Sequence, residues 1–241
     1  AVALASELGV RLDVVAVGSD ESIATPLTVL QEAAAAVDVN CEITIRHGND
    51  PAAEIRSAAL AANTQILVIG RRLYPGATEV GPVAQRILAA APCAVLVVAP
   101  SSQLWSRRVL VAFDGSDAAR SATELAAQLA KPRQLPITLF SITDGSGQLP
   151  SEIEDAAQLS IAELKLDGLT GELLAGSGNI AEGILNAARE TGADLIVLYR
   201  HTRGGLSRKL LGSVGDEVIR GAEVPVLLVG ETTQTGLDAV G

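Results

Sequence analysis

Short apolar segments alternate with amphipathic segments along most of the chain. The apolar runs, rich in Val, Ile and Leu, predict strands at 12–17, 41–45, 66–69, 94–98, 109–113, 136–142, 171–174, 195–198 and 226–229. Apolar residues at helical spacing predict helices at 2–8, 26–37, 51–62, 81–91, 117–130 and 151–165, then one that ends at 190 and one that begins at 212–213. Strands that alternate with helices of about 10–15 residues are typical of βαβ crossovers. The pattern therefore predicts an α/β fold built on mostly parallel sheets.

The two halves of the chain repeat this order of elements with related sequences. ILVIGRR at 66–72 corresponds to LIVLYRH at 195–201, and GPVAQRILAAAPCAVLVVA at 81–99 corresponds to GSVGDEVIRGAEVPVLLVG at 212–230. A repeat of more than roughly a hundred residues is too long for a solenoid unit and indicates a duplicated domain. We therefore predict two domains, residues 1–99 and residues 106–231, and name them the first and the second repeat.

The first repeat lacks the beginning of the second. Leu4 corresponds to Leu125, so the first repeat has no counterpart of residues 108–121, which comprise the strand VLVAF, a turn and the start of a helix. A parallel sheet without an inner strand leaves backbone hydrogen-bonding groups unpaired on both neighbouring strands. We therefore expect the first domain to lack its first strand, and the natural polypeptide to extend upstream of Ala1.

Composition and charge restrict the classes of partner. Apolar residues make up 48% of the chain but aromatic residues only 2%, so the core must consist of Ala, Val, Leu and Ile. The formal net charge of −10 disfavours nucleic acid and anionic membranes, which bind basic surfaces. No apolar run reaches the roughly 18 residues that a membrane-spanning helix needs. Cys41 and Cys93 have no CxxC or CxH partner, and we interpret them as buried small hydrophobic residues in a reducing compartment, not as a disulfide pair or as metal ligands. We expect a cytoplasmic protein that contacts neither nucleic acid nor, through this segment, a membrane.

The segment VAFDGSD at 111–117 is the first candidate for ligand binding. Asp114 directly follows a predicted buried strand, and open α/β sheets bind ligands at the carboxyl ends of their strands. Its carboxylate can accept hydrogen bonds from a ribose or an adenine. The alternative interpretation is structural: Asp114 and the next two residues form a turn, and Ser116 or Asp117 caps the following helix.

A basic segment between the predicted strand 195–198 and the last helix is the second candidate. It contains no acidic residue and four positively charged ones, Arg200, Arg203, Arg208 and Lys209. It ends at Gly212 and Ser213, where free N–H groups, the helix dipole and a hydroxyl group together favour an anion. The alternative is a solvated loop in which Ser213 is only the N-cap. Neither a P-loop nor a dinucleotide fingerprint is present.

Together these motifs resemble the universal stress protein family. The resemblance rests on VAFDGS, on the helix start GNIAEGI at 178–184, and on LLGSV and PVLLV near the end, and it extends over both repeats. It implies two doubly wound, mostly parallel five-stranded sheets, similar to the adenine nucleotide alpha hydrolases. It also implies a cytosolic stress-response protein that is not an enzyme, with the two domains paired through their last strands. Formation of a homodimer is a further expectation.

One branch of this family binds ATP or AMP through the motif G-x2-G-x9-G-S/T after the fourth strand, together with the Asp after the first strand. Gly212, Ser213 and Asp114 match this pattern, whereas Tyr199 and Thr202 stand where the first two glycines would be. The resemblance thus implies a site for ATP or AMP in the second repeat, with magnesium accompanying ATP. Asp114 would contact the sugar or base, residues near 142 and 198–199 would flank the adenine, and residues 203 and 212–214 would hold phosphates. The implied nucleotide-binding residues are Ala112, Asp114, Ile142, Leu198, Tyr199, Thr202, Arg203, Gly212, Ser213 and Val214.

Two alternatives stay open. Tyr199 and Thr202, together with Pro82 in the first repeat, favour the branch of the family that binds no nucleotide and acts through protein contacts. The incomplete first repeat favours a different class, the cytosolic regulatory domain of a membrane transporter.

Overall fold

A computed structural model describes residues 1–18, 20–71, 80–143, 147–200 and 213–230 of the chain. The helices are α1 (Val2–Leu8), α2 (Asp20–Ala35), α3 (Pro51–Ala61), α4 (Pro82–Ala90), α5 (Asp117–Ala130), α6 (Ser151–Leu166), α7 (Ile180–Thr191) and α8 (Ser213–Gly221). The strands are β1 (Leu12–Val17), β2 (Cys41–Arg46), β3 (Ile66–Gly70), β4 (Ala94–Val98), β5 (Val109–Ala112), β6 (Ile137–Ile142), β7 (Gly171–Gly176), β8 (Leu195–Tyr199) and β9 (Val226–Val229). Apolar periodicity therefore located the strands to within a few residues.

One helix begins earlier than the sequence pattern predicted. The prediction placed its start at Pro26, as an amphipathic, alanine-rich helix over residues 26–37. In the structure α2 begins at Asp20 and Pro26 lies inside it. The segment before Pro26 contains Glu21 and Ala24, which have high helix propensity and extend the helix toward the N-terminus.

The chain divides into two compact units, of which the first comprises Ala1–Thr64. Its sheet has two parallel strands, β1 and β2, in a register that runs from Leu12 opposite Cys41 to Val17 opposite Arg46. Helix α2 packs on β2 and helix α3 packs on β1. Among the residues of this unit whose burial is described, the buried side chains are small or aliphatic: Leu4, Ala5, Ala34, Ala52, Ala58 and Ala59.

The second unit begins at Gln65 and contains a seven-stranded sheet in the order β3-β4-β9-β8-β5-β6-β7. All neighbouring strands are parallel except β4 and β9, which run antiparallel with Val95 opposite Leu228 and Val97 opposite Val226. The last two strands of the first repeat thus lie in one sheet with the five strands of the second.

The doubly wound, mostly parallel α/β fold is confirmed, but its strands are not distributed as two five-stranded sheets. In the second repeat β5 lies between β6 and β8 and pairs with both. The 241 residues contain no counterpart of β5 in the first repeat, so β1 and β3 lack the strand that would join them. The described strands of the first repeat accordingly belong to two separate sheets.

Buried aliphatic strands and alanine-rich helices form the core of the second unit. The side chains of β5 from Val109 to Val111, and the equivalent ones of β8 from Leu195 to Val197, have no solvent exposure. Helix α5 contacts α6, and α7 contacts α8, as expected of a sheet covered by helices on both faces. Along α5 the buried face consists mainly of alanine, which lets the helix approach the strands closely: Ala119, Ala122, Ala126 and Ala130.

The segment that leads into β5 is held by one carboxylate at the start of β8. Backbone N–H groups of Ser106, Arg107 and Arg108 donate to Asp194 at 2.7, 3.0 and 3.1 Å. Burial alone would raise the pKa of Asp194, but these three donors and the positive charge of Arg107 hold it below its ordinary value of 3.8. Asp194 therefore stabilises the folded chain as an anion.

This arrangement predicts a specific dependence of stability on pH. Because the pKa of Asp194 is lower in the folded than in the unfolded chain, its stabilisation is complete above about pH 3.8 and is lost as the pH falls through the folded-state value. We expect Asp194→Asn to lower the free energy of unfolding by about 1–3 kcal/mol at neutral pH, with a smaller difference at pH 3. Urea denaturation at both pH values measures this.

A matched control is Asp167→Asn. Asp167 pairs with Lys131 at 3.1 Å, but both side chains are more than half exposed, so its loss should cost less than about 0.5 kcal/mol. A destabilisation by Asp194→Asn that is the same at pH 7 and pH 3 would contradict the electrostatic origin.

Candidate functional site

The carboxyl ends of β5, β6 and β8 bring together most of the described residues predicted to bind a ligand. Strand β5 lies between the other two, so Ala112 at its end is close to the ends of both neighbours. Asp114 lies two residues beyond β5, and Ile142 and Tyr199 are the last residues of β6 and β8. Leu198, which precedes Tyr199 in β8, is buried. Ala112, Ile142 and Tyr199 are half-buried, and Asp114 is exposed.

Both oxygens of the Asp114 carboxylate have partners within the protein. The Tyr199 hydroxyl group donates a hydrogen bond to Oδ2. The backbone N–H of Ser116 donates to Oδ1 at 3.0 Å. The carboxylate that was predicted to contact a ribose or base is therefore bound by a residue from the end of β8, the strand next to β5.

The structural interpretation of the DGS motif is also confirmed. Gly115 has a φ of +79°, a left-handed conformation that glycine adopts without strain. The Ser116 hydroxyl accepts a hydrogen bond from the N–H of Ala119 at 3.2 Å and is the N-cap of α5. The motif thus makes the turn, caps the helix and presents Asp114 to Tyr199.

The environment of Tyr199 keeps its hydroxyl group protonated. Burial is the main reason that its pKa lies well above the ordinary value of 10, and the hydrogen bond and negative charge of Asp114 raise the pKa further. The Ser116 side chain acts in the opposite direction, because its hydrogen bond favours the phenolate. Tyr199 is therefore a hydrogen-bond donor to Asp114 over the whole physiological pH range.

The predicted phosphate-binding residues are described only in part. Thr202, Arg203 and Gly212 lie outside the described residues. Helix α8 begins at Ser213, as the sequence predicted, and Val214 is half-buried in its first turn. The start of a helix is thus present where an anion was predicted to bind.

One basic residue has a different role from the one that its charge suggested. Arg200 was counted among the four positive residues of an anion site. Its guanidinium group instead donates to the backbone carbonyls of Leu88, Ala91 and Cys93 at 2.6, 3.1 and 3.3 Å. The positive charge of the segment predicted an anion-binding site, but charge alone does not determine which groups a side chain contacts.

Sequence reasoning missed Thr143, the residue after β6. Its backbone N–H donates to the carbonyl of Gly176 at 2.7 Å, which continues the pairing of β6 with β7. Its hydroxyl oxygen is buried and has no hydrogen-bond partner among the described residues. The sequence feature that could have identified Thr143 was its position directly after Ile142, which was predicted to flank an adenine.

No group of three or more His, Cys, Asp or Glu side chains in the described part of the chain is arranged to hold a metal ion. None of the described helices combines the length and apolar character needed to cross a bilayer.

The fold and this strand edge define a doubly wound α/β protein with polar side chains where such sheets bind ligands. The sequence model of the universal stress protein family matches residues 1–99 and 106–230. The chain therefore belongs to the universal stress protein family, in a tandem form, and the resemblance inferred from its motifs is confirmed. Membership of this family supports a role in the stress response.

Two related sequences each match about half of this chain, and one solved structure matches nearly all of it. Universal stress protein YxiE of Bacillus subtilis is 29% identical over 144 residues, which cover 51% of this chain and 97% of the relative. A universal stress protein of Thermus aquaticus is 34% identical over 134 residues, covering 51% and 98%. The crystal structure of a universal stress protein from Archaeoglobus fulgidus covers 93% of this chain and 89% of its own, with a TM-score of 0.76 and 21% identity. That likeness concerns the fold.

The contact between Tyr199 and Asp114 predicts an altered phenol titration. In the wild type we expect Tyr199 to ionise well above the ordinary pKa of about 10. In Asp114→Asn the midpoint should fall, because the negative charge is lost, yet stay above the ordinary value because burial is the larger cause. Ultraviolet absorbance of the phenolate measures this.

Subtracting the curve of Tyr199→Phe isolates the signal of Tyr199 from that of the second tyrosine. Asp167→Asn is the control for a general loss of negative charge. An unchanged midpoint in Asp114→Asn would show that the two side chains are not in contact in solution.

Proposed function

We propose that this universal stress protein acts without catalysing a reaction, through contacts with other proteins, and that Tyr199 closes the strand edge at which an adenine nucleotide would otherwise bind. The cytoplasm is its proposed location. The two free cysteines, Cys41 and Cys93, support a reducing compartment. Pairing of the two repeats through their last strands is part of the proposal, supported by the antiparallel register of β4 and β9. A homodimer is a further proposed assembly.

The hydrogen bond from Tyr199 to Asp114 is the observation that carries this proposal. Tyr199 occupies the position at which the resemblance to the nucleotide-binding branch requires glycine, and its phenol extends to the carboxylate predicted to hold the sugar or base. A ligand that used the same oxygen would have to displace a hydrogen bond to a charged group, worth about 1.5–3 kcal/mol. Such a penalty corresponds to a loss of affinity of about tenfold to a hundredfold.

An adenine nucleotide is the second candidate, with ATP or AMP as ligand and magnesium accompanying ATP. The buried hydroxyl of Thr143, which has no partner among the described residues, favours it, because a polar group of a ligand could satisfy that oxygen. The helix start at Ser213 provides a place for an anion. Tyr199 would then have to move away from Asp114, and the proposed contacts would be those assigned from the sequence: Ala112, Asp114, Ile142, Leu198, Tyr199, Thr202, Arg203, Gly212, Ser213 and Val214.

Calorimetric titration of ATP and AMP, with and without magnesium, separates the two candidates. We expect no saturable binding to the wild type at ligand concentrations up to about 1 mM, a limit that corresponds to about −4.1 kcal/mol. Tyr199→Gly should bind AMP more tightly than the wild type, because it frees both the carboxylate and the space of the phenol ring.

Tyr199→Phe is the matched control, because it frees the carboxylate but keeps the ring. Binding by Tyr199→Gly but not by Tyr199→Phe would assign the closure to the bulk of the ring. Saturable binding to the wild type that Asp114→Ala and Ser213→Ala both weaken would overturn the first candidate and establish the nucleotide site.

A further inference from the structure

Two arginines occupy equivalent positions in the two repeats. Arg71 follows β3 and Arg200 follows β8, at matching places of ILVIGRR and LIVLYRH. Their backbone N–H groups make equivalent hydrogen bonds, to Val98 at 2.6 Å and to Val229 at 2.7 Å, at the ends of the last strands β4 and β9. Both arginines belong to the second compact unit.

Each guanidinium group reaches the end of the last helix of the other repeat. Arg71 donates to the carbonyl of Ile219, and at 3.2 Å to that of Arg220, both in the last turn of α8. Arg200 donates to Leu88 in the last turn of α4, and to Ala91 and Cys93 just beyond it. Alignment of residues 81–99 with residues 212–230 makes Leu88 and Ile219 equivalent, so the two contacts are related by the internal repeat.

The chemistry of both contacts is that of a cation at a helix C-terminus. The last carbonyls of a helix lack partners within the helix and carry a partial negative charge. Guanidinium presents several N–H donors in a planar fork, whereas a lysine ammonium is a compact point charge on a flexible chain. Arg200 is half-buried, and burial lowers its pKa, so this cation has given up water for the three carbonyls.

The glycine after β9 leaves room for one of the two arginines. A Cβ atom at Gly230 would lie 2.5 Å from Nη2 of Arg200 and 3.3 Å from Cζ. The equivalent residue of the first repeat is Ala99, and there Arg71 has two carbonyl partners where Arg200 has three. The two arginine contacts are thus equivalent in position but differ in the number of carbonyl partners.

We propose that Arg71 and Arg200 form a reciprocal clamp that specifies how the two repeats pair, each recognising the C-terminal carbonyls of the other repeat's last helix. The antiparallel strands β4 and β9 lie between the two arms of the clamp. The partner that fits this surface is a second repeat of the same type, with its last helix ending in accessible carbonyls beside its last strand. Backbone pairing of β4 with β9 holds the two repeats together. The clamp determines which partner is selected and in which register it pairs.

A double-mutant cycle between Arg200 and Gly230 tests the clamp in the full chain. Arg200→Met should lower the urea midpoint, and Gly230→Ala should also lower it, because the added methyl group displaces the guanidinium from its carbonyls. In the Arg200→Met background Gly230→Ala should have little further effect. Gly70→Ala is the control for replacing a glycine at a strand end, because a Cβ there meets no atom of the described residues within 4 Å. Additive effects of Arg200→Met and Gly230→Ala would overturn the proposal.

Hydrogen exchange shows which strands are destabilised when each arginine is replaced. Arg71→Met and Arg200→Met should each accelerate exchange of the amides of β4 and β9 by about tenfold or more, and leave those between β6 and β7 nearly unchanged. Unchanged exchange at β4 and β9 would overturn the proposal. If a methionine variant does not fold, Arg200→Lys replaces it in the cycle. It should retain only part of the effect of arginine, because a compact ammonium group lacks the fork of N–H donors with which guanidinium reaches three carbonyls.

Discussion

The antiparallel contact between β4 and β9 is the constraint on which the large sheet depends. Ala94 and Val95 of β4 and Leu227 of β9 have no solvent exposure, so neither strand has the character of a sheet edge. Their pairing joins the parallel strands of two repeats across one change of direction. It also gives β9 a second partner, so on that side β8 and β5, whose carboxyl ends lie beside Tyr199 and Asp114, are separated from the sheet edge by β9, β4 and β3.

Apolar periodicity predicted nearly every element of the fold, because β4, β5, β6, β8 and β9 are buried, mainly apolar runs and the helices have an apolar face. It failed at the start of α2, which lies at Asp20, six residues before the predicted start at Pro26. The partition into sheets of two and seven strands needed the structure. It depends on which backbone edges find a partner, and none of the described strands of the first repeat is equivalent to β5.

The sequence predicted where the candidate site lies but not which side chains contact each other there. The position of Asp114 after a buried strand, and of Tyr199 at the end of another, placed both at one edge of the sheet. That the hydroxyl of one bonds the carboxylate of the other depends on the side-chain conformation across neighbouring strands 85 residues apart in sequence. Arg200 shows the same limit, since its positive charge is satisfied by helix carbonyls that only the tertiary structure brings near.

Tyr199 and Arg200 are consecutive residues whose side chains serve two different regions. Tyr199 contacts the carboxylate after β5, and Arg200 contacts the helix end of the first repeat. One peptide unit therefore belongs both to the ligand edge and to the surface that joins the repeats. Any change that shifts the backbone between these two residues is therefore expected to affect both contacts together.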